Sequence, residues 1–230
     1  MDCVLELAVK ILKRAFAGPF FLARNSGRVL YSGSVFSDGC VLNGATTESI
    51  MDINLEEAIS LLTRTPAALD VLLRDLPGTW TLRNEGDSTW SAFDVIGHLI
   101  HGERTDWLPR VRVILEFGEN KAFEPFDRWG HVQESQNKSL GNLLDEFARL
   151  RSENVRELRA LNLRAEDLNR RGRHPSLGVV TLSELLATWA THDLTHLHQI
   201  SRVMAHQYRD AVGPWSQYLG VLQCAGHSSS

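Results

Sequence analysis

Two histidines, His192 and His196, lie four residues apart in the stretch Trp189-Ala190-Thr191-His192-Asp193-Leu194-Thr195-His196. If that stretch is helical, both rings project from one face, with Cβ atoms about 5–6 Å apart. Two imidazoles at that separation can share one metal ion. Leu182, Leu185, Trp189, Ile200 and Val203 fall on or near the same side of the helical wheel, so the pair is expected to face the interior. His198 falls roughly opposite and is expected to face solvent. Two histidines are too few ligands for a stable site, and a third must come from another helix. His98 and His101 are the candidates. Gly97 precedes His98 and Gly102 follows it by one turn, which leaves room for a bulky group. On an ideal wheel His98 lies nearly opposite the Ile96, Ile100 and Trp107 stripe. Either that helix is buried on both sides or the site sits toward one edge of the fold. Asp94, one turn before His98, and Asp193, beside the pair, are placed to orient the rings from behind. Taken alone, an i,i+4 histidine pair is more often a surface or capping feature than a metal site; its inward face distinguishes this one.

The elements that must hold these residues read as helices. Asn54 with Glu57 marks a helix start, and Leu55 to Leu76 repeats apolar residues at helical spacing, with Pro66 expected to kink or split it. Pro77-Gly78 stops it, and a polar loop follows from Arg83 to Thr89. Ser91 and Asp94 form a capping-box pattern opening a second helix, expected to run to Phe117 with a bend at Pro109. Gly118 to Lys138 is a long connection. Ser139 to Leu161 is a third helix, Arg170 to Gly178 an Arg-, Gly- and Pro-rich loop. Thr181 and Glu184 make a second capping box, opening a fourth helix to about Tyr208. Pro214 to Leu222 fits a short fifth helix. Long helices with one long connection predict an all-α four-helix bundle.

Hydrophobic residues are 43% and charged residues 23% of the 230, a globular profile. The net charge of −4 carries no basic stripe, which argues against a nucleic-acid partner. No apolar run is long enough to span a bilayer. The three cysteines have no metal spacing and cannot all pair, which fits a reducing cytoplasm. Residues 1–50 read differently from the rest. The apolar stretch Val4 to Phe21 is broken by Glu6, Lys10, Lys13 and Arg14, so a signal peptide is not expected, and Asn25 to Thr47 is Gly- and Ser-rich. This extension is either a short amphipathic arm packing on the domain or a partner, or an upstream addition to a protein that starts at Met51. The second reading is preferred. The bundle is then residues 51–223, with 224–230 a tail.

In combination, three stretches resemble the DinB-like superfamily, which includes metal-dependent thiol transferases such as bacillithiol transferases and maleylpyruvate isomerases. Thr65-Pro66 through Leu76-Pro77 is similar to its opening helix. Trp90-Ser91, Gly97-His98-Leu99 and Glu103 resemble its second helix, whose histidine is the first metal ligand. His174-Pro175-Ser176-Leu177-Gly178 and the stretch Trp189 to Ile200 resemble its last bundle helix, whose two histidines are the others. The likeness runs from about Met51 to Arg209. It implies an up-down-down-up bundle, often a homodimer, with a divalent metal, zinc or nickel, on His98, His192 and His196.

Three neutral histidines leave such a metal its double charge and an open position. A water bound there drops to a pKa of about 7, and a thiol ionises more readily still. The site therefore suits activation of a low-molecular-weight thiol for transfer to an electrophilic small-molecule substrate, or metal-assisted hydrolysis. The remaining alternative is a non-catalytic bundle. No cysteine lies near the site in sequence, so a nucleophilic thiol must come from outside. Phe126 and Trp129 of the long connection, with Trp189, are candidates for a substrate pocket, although aromatics there could equally cap the bundle end. Arg170, Arg171 and Arg173 either contact an anionic thiol or form a solvated basic loop, the commoner fate of an exposed charge run. His131, His174 and His206 are read as structural or surface residues.

Overall fold

The computed structural model describes residues 53–224; the extension 1–50 and the tail beyond 224 lie outside the described residues. Helix α1 (Leu55–Leu73) starts where Asn54 Oδ1 accepts the backbone N–H groups of Glu56 and Glu57, donors that a helix start leaves open. Pro66 lies inside α1, which nonetheless stays a single element. A proline at 66 leaves the Leu62 carbonyl without its helical donor. Here that carbonyl accepts from Arg151 Nη1 at 2.9 Å instead, so the expected division into two segments does not occur.

A single turn, α2 (Gly78–Thr81), precedes α3 (Ala92–Thr105). In the capping box of α3, Asp94 N–H donates to Ser91 Oγ and Ser91 N–H donates to Asp94 Oδ2. The expected run to Phe117 is corrected: α3 ends at Thr105 and α4 (Trp107–Phe117) begins after Asp106. In a continuous helix the Pro109 ring would meet the Thr105 carbonyl and offer it no donor. The chain breaks just ahead, and Pro109 falls in the first turn of α4, where a missing N–H costs nothing.

The crossover after α4 holds a 3-10 turn (Gly118–Asn120) and a short helix, α5 (Gly130–Glu134). Helix α6 (Leu140–Ala160) is capped by Ser139, and the single turn α7 (Ala165–Leu168) follows it. The expected loop at 170–178 is corrected to a hairpin, β1 (Arg171–His174) and β2 (Gly178–Thr181), with Arg171 opposite Thr181 and His174 opposite Gly178. Its turn is built locally: His174 Nδ1 accepts the N–H groups of Ser176 and Leu177, both at 3.1 Å, and Gly178 takes φ +80°. Phe123 N–H donates to the Arg173 carbonyl at 2.9 Å, tying the crossover to β1. Helix α8 (Leu182–His206) opens with the Thr181–Glu184 capping box. The expected fifth helix is two 3-10 turns, Gly213–Tyr218 and Gly220–Leu222. Gly213 at φ +52° and Gly220 leave no stretch long enough for an α-helix.

Helices α1, α3, α6 and α8 form an up-down-down-up four-helix bundle in which α6 and α8 each pack on both α1 and α3. No helix of the described residues is long and apolar enough to cross a membrane. The core has two apolar clusters. One gathers Ile59, Leu62, Trp107, Val111, Leu186 and Trp189; the other gathers Leu69, Leu73, Ile96, Leu144, Phe147 and Ile200. Between them each helix contributes polar atoms. Arg151 of α6 is 1% exposed. It donates to Asp193 Oδ2 at 2.5 Å, Asp193 Oδ1 at 2.9 Å, Glu103 Oε1 at 2.8 Å and the Leu62 carbonyl. Trp189 Nε1 and Asn154 Nδ2 also donate to Glu103. Burial pulls the guanidinium pKa down, but Glu103 and Asp193 outweigh it and leave the value raised. Replacing Arg151 with Met strands two buried carboxylates; urea titration should show stability lower by about 3–5 kcal/mol.

Candidate metal centre

His192 and His196 stand one turn apart on α8, and His98 reaches them from α3. His192 Nε2 is 3.0 Å from His196 Nε2 and 3.3 Å from His98 Nε2. The three candidate ligand atoms lie within 4.8 Å of one another. The wheel position of His98 resolves as burial on both sides of α3. Val95, Ile96, Leu99 and Ile100 pack in the core while His98 and His101 are also buried. Glycines make the outer packing possible. A Cβ on Gly97 would come within 2.4 Å of Ser135 Oγ, and one on Gly130 within 2.5 Å of the His101 ring. Helix α5 thus closes tightly over α3. His101, the alternative third ligand, is not part of the cluster; its Nδ1 meets Glu134 at 2.8 Å.

The electrostatics suit a cation. Burial, then the neighbouring His196 and His192, pushes the His98 pKa far down. Burial does the same for His192 and His196, the latter opposed by its hydrogen bond to Gln199. All three rings are therefore neutral near pH 7, the form that ligates. Gln199 Oε1 accepts from His196 Nδ1 at 2.7 Å, which places the proton on Nδ1 and the lone pair on Nε2. Two lone pairs at 3.0–3.3 Å repel unless a proton or cation sits between them. Nitrogens about 2.0–2.1 Å from one tetrahedral ion would be roughly 3.3–3.4 Å apart. The residues present fit such an ion.

The expected orienting carboxylates act elsewhere. Asp94 Oδ2 is taken by Ser91 N–H and Oγ at 2.9 and 2.6 Å and makes no bond to His98. Asp193 gives both oxygens to Arg151 and acts on His196 only through its field. The orienting group for His196 is Gln199, which the sequence reading missed. Its signal was available: a side-chain amide three residues after a ligand histidine, on one helix face.

A cavity of about 610 Å³ opens onto the three histidines. Trp90 and Trp107 form one wall, Pro125, Phe126 and Arg128 of the crossover another, and His174, Pro175 and Ser176 of the hairpin turn a third; Asp106 and Arg110 complete it. The Phe126 ring stands edge-on to His98 at 5.4 Å. Trp129 does not line the cavity; it is 49% exposed and packs on Trp90. Trp189 does not line it either. It is fully buried, stacked on Trp107 with ring centroids 5.8 Å apart. Arg170, Arg171 and Arg173 are also absent from the lining. Arg170 donates to the Leu115 carbonyl and Arg171 pairs with Glu119 at 3.2 Å. His131 is buried between Trp90 and His98, its Nδ1 on the Arg128 carbonyl. His174, read as structural or surface, holds its turn and lines the cavity as well.

Three neutral imidazoles converging beneath an aromatic cavity define a helical bundle with a candidate histidine metal site. The chain belongs to the DinB superfamily, whose family model matches residues 61–200. No curated protein matches it. Among solved structures it is similar to YfiT from Bacillus subtilis, described as a probable metal-dependent hydrolase with an unusual four-helix bundle topology. That likeness covers 71% of this chain and 91% of the other, at 22% identity and a TM-score of 0.58, and shows a shared fold.

Two outcomes are expected. Unfolded histidines titrate near pH 6.5, whereas burial keeps these neutral to lower pH. Below about 6.5 the unfolded chain therefore binds more protons, and the metal-free protein loses stability as pH falls toward the folded values. Urea titrations from about pH 8 to about pH 5 should show that decline and a flat profile above about 7. Gln199→Leu should weaken metal affinity about 10–100-fold, read by competition with a chromophoric chelator.

Proposed function

We propose that this chain is a metal-dependent enzyme in which His98, His192 and His196 hold a zinc or nickel ion, and in which a low-molecular-weight thiol is activated for S-transfer to an electrophile. The observation that carries this reading is the convergence of three neutral imidazole nitrogens on a cavity lined by no cysteine among the described residues. Cys224, the one cysteine among the described residues, is exposed and lines a different cavity with Glu85, Arg202 and His206. On this reading the attacking group is a thiol brought in from outside. A divalent cation at the histidines supplies a Lewis acid that favours the anionic form of a thiol.

The choice of thiol over water rests on the carboxylates. Beyond the metal, hydrolysis gains from a general base or acid beside the site. Among the described residues the cavity's one carboxylate is Asp106, and Arg110 Nε holds it at 2.5 Å. Glu103 and Asp193 are spent on Arg151. A thiol, with an ordinary pKa of about 8.5, needs less assistance. The rings of Trp90, Trp107 and Phe126 offer an apolar wall to the electrophile. Hydrolysis is the second reading, favoured by the fold shared with YfiT and its description as a probable metal-dependent hydrolase.

Elemental analysis should find about one divalent ion per chain, lost in His192→Ala. In the cobalt-substituted protein, a small thiol such as cysteine or glutathione should change the visible absorption. No change with any small thiol, together with turnover of an ester or amide, would establish hydrolysis instead. A metal-free protein whose His192→Ala variant has unaltered stability would overturn both.

A further inference from the structure

The proposed reaction leaves three donors at the mouth of the cavity without a task. Arg110 spends its Nε on Asp106 at 2.5 Å and lies over the Phe123 ring at 5.2 Å, which fixes the plane of its guanidinium. No second carboxylate pairs with its guanidinium among the described residues. Arg128 is exposed and pairs with no carboxylate among the described residues, yet its charge disfavours protonation of both His98 and His196. It lines the same cavity as those histidines. His174 Nδ1 accepts two backbone N–H groups, so its proton is on Nε2. That N–H has no protein acceptor among the described residues. All three side chains line the one cavity.

The charge balance points the same way. The chain carries −4 overall, but with Asp106 neutralised by Arg110 the cavity keeps the uncompensated cation of Arg128. Neutral histidines add no negative charge, and a divalent ion would add two positive ones. A cleft of one sign in a low-dielectric wall concentrates ions of the other. Guanidinium groups match planar or tetrahedral oxyanions through paired N–H donors.

We propose that this mouth binds an anionic group of the substrate, a carboxylate or a phosphate, through Arg110, Arg128 and the Nε2–H of His174. The assignment rests on the cavity being the reaction site. One end of the substrate is then anchored at the rim while its reactive atom faces the histidines. The same anchor selects against neutral analogues.

The test uses the full chain stripped of metal, so that an anion cannot simply bind the cation. Inorganic phosphate and succinate are titrated separately, following the fluorescence of Trp90 and Trp107 and the heat of binding. At least one should bind, and which one distinguishes phosphate from carboxylate recognition. Arg128→Gln and His174→Phe should each weaken binding about tenfold. Arg128 is exposed, so its replacement does not threaten the fold. Arg171→Gln, which breaks an ion pair outside the cavity, should change nothing. Failure of wild type to bind either anion, or binding indifferent to Arg128→Gln and His174→Phe, would overturn the proposal. Zinc and nickel content measured in parallel separates it from the metal reading. A chain that binds zinc or nickel but neither anion sinks only the anion site; one that binds an anion through these residues but neither metal keeps the site and sinks the reaction.

Discussion

A single buried guanidinium holds the four helices of this bundle at one level. Arg151 on α6 reaches Asp193 on α8, Glu103 on α3 and the Leu62 carbonyl on α1. A charge that deep is tolerated only with its partners in place. A one-turn slip of any helix would separate them, so the layer fixes register as well as contact. The candidate metal centre inherits that register. Asp193 follows His192 directly and precedes His196 by three residues, and Glu103 follows His98 by five. Alignment of the two carboxylates on Arg151 therefore aligns the histidines of α3 and α8.

The layer also shapes the local field. One guanidinium stands between two carboxylates within the core. Asp193 favours the cationic form of His196, while Arg151 disfavours that of His192. In the cavity onto which the histidines open, Arg110 is paired with Asp106, and Arg128 has no carboxylate partner among the described residues.

The parts of the molecule set by local rules were legible in the sequence. The capping boxes at Ser91 and Thr181, the cap at Ser139 and the i,i+4 histidine pair each depend on residues within one turn of each other. What was less legible depends on competition or on distant partners. Pro66 and Pro109 are the same residue type inside helical patterns. One is accommodated because Arg151 supplies the missing donor, and the other breaks its helix at Asp106. Asp94 had two available roles for the same oxygens, and the helix cap took them. The hairpin strands are four residues each, too short to display a period of two. Trp129 and Phe126 lie three residues apart in an irregular segment, where sequence gives no rule for which ring turns toward the histidines.

The walls of the cavity come from the connections more than from the bundle. The crossover supplies Pro125, Phe126 and Arg128, and the hairpin turn supplies His174, Pro175 and Ser176. These two segments are stitched to each other by the Phe123–Arg173 backbone bond and the Ala122–Arg173 bridge. The histidines and the Arg151 layer belong to the helices. Diversification can therefore act on the two halves separately. A lineage of such proteins is free to exchange its rim, loop by loop, and meet new small molecules while the three histidines beneath stay the same.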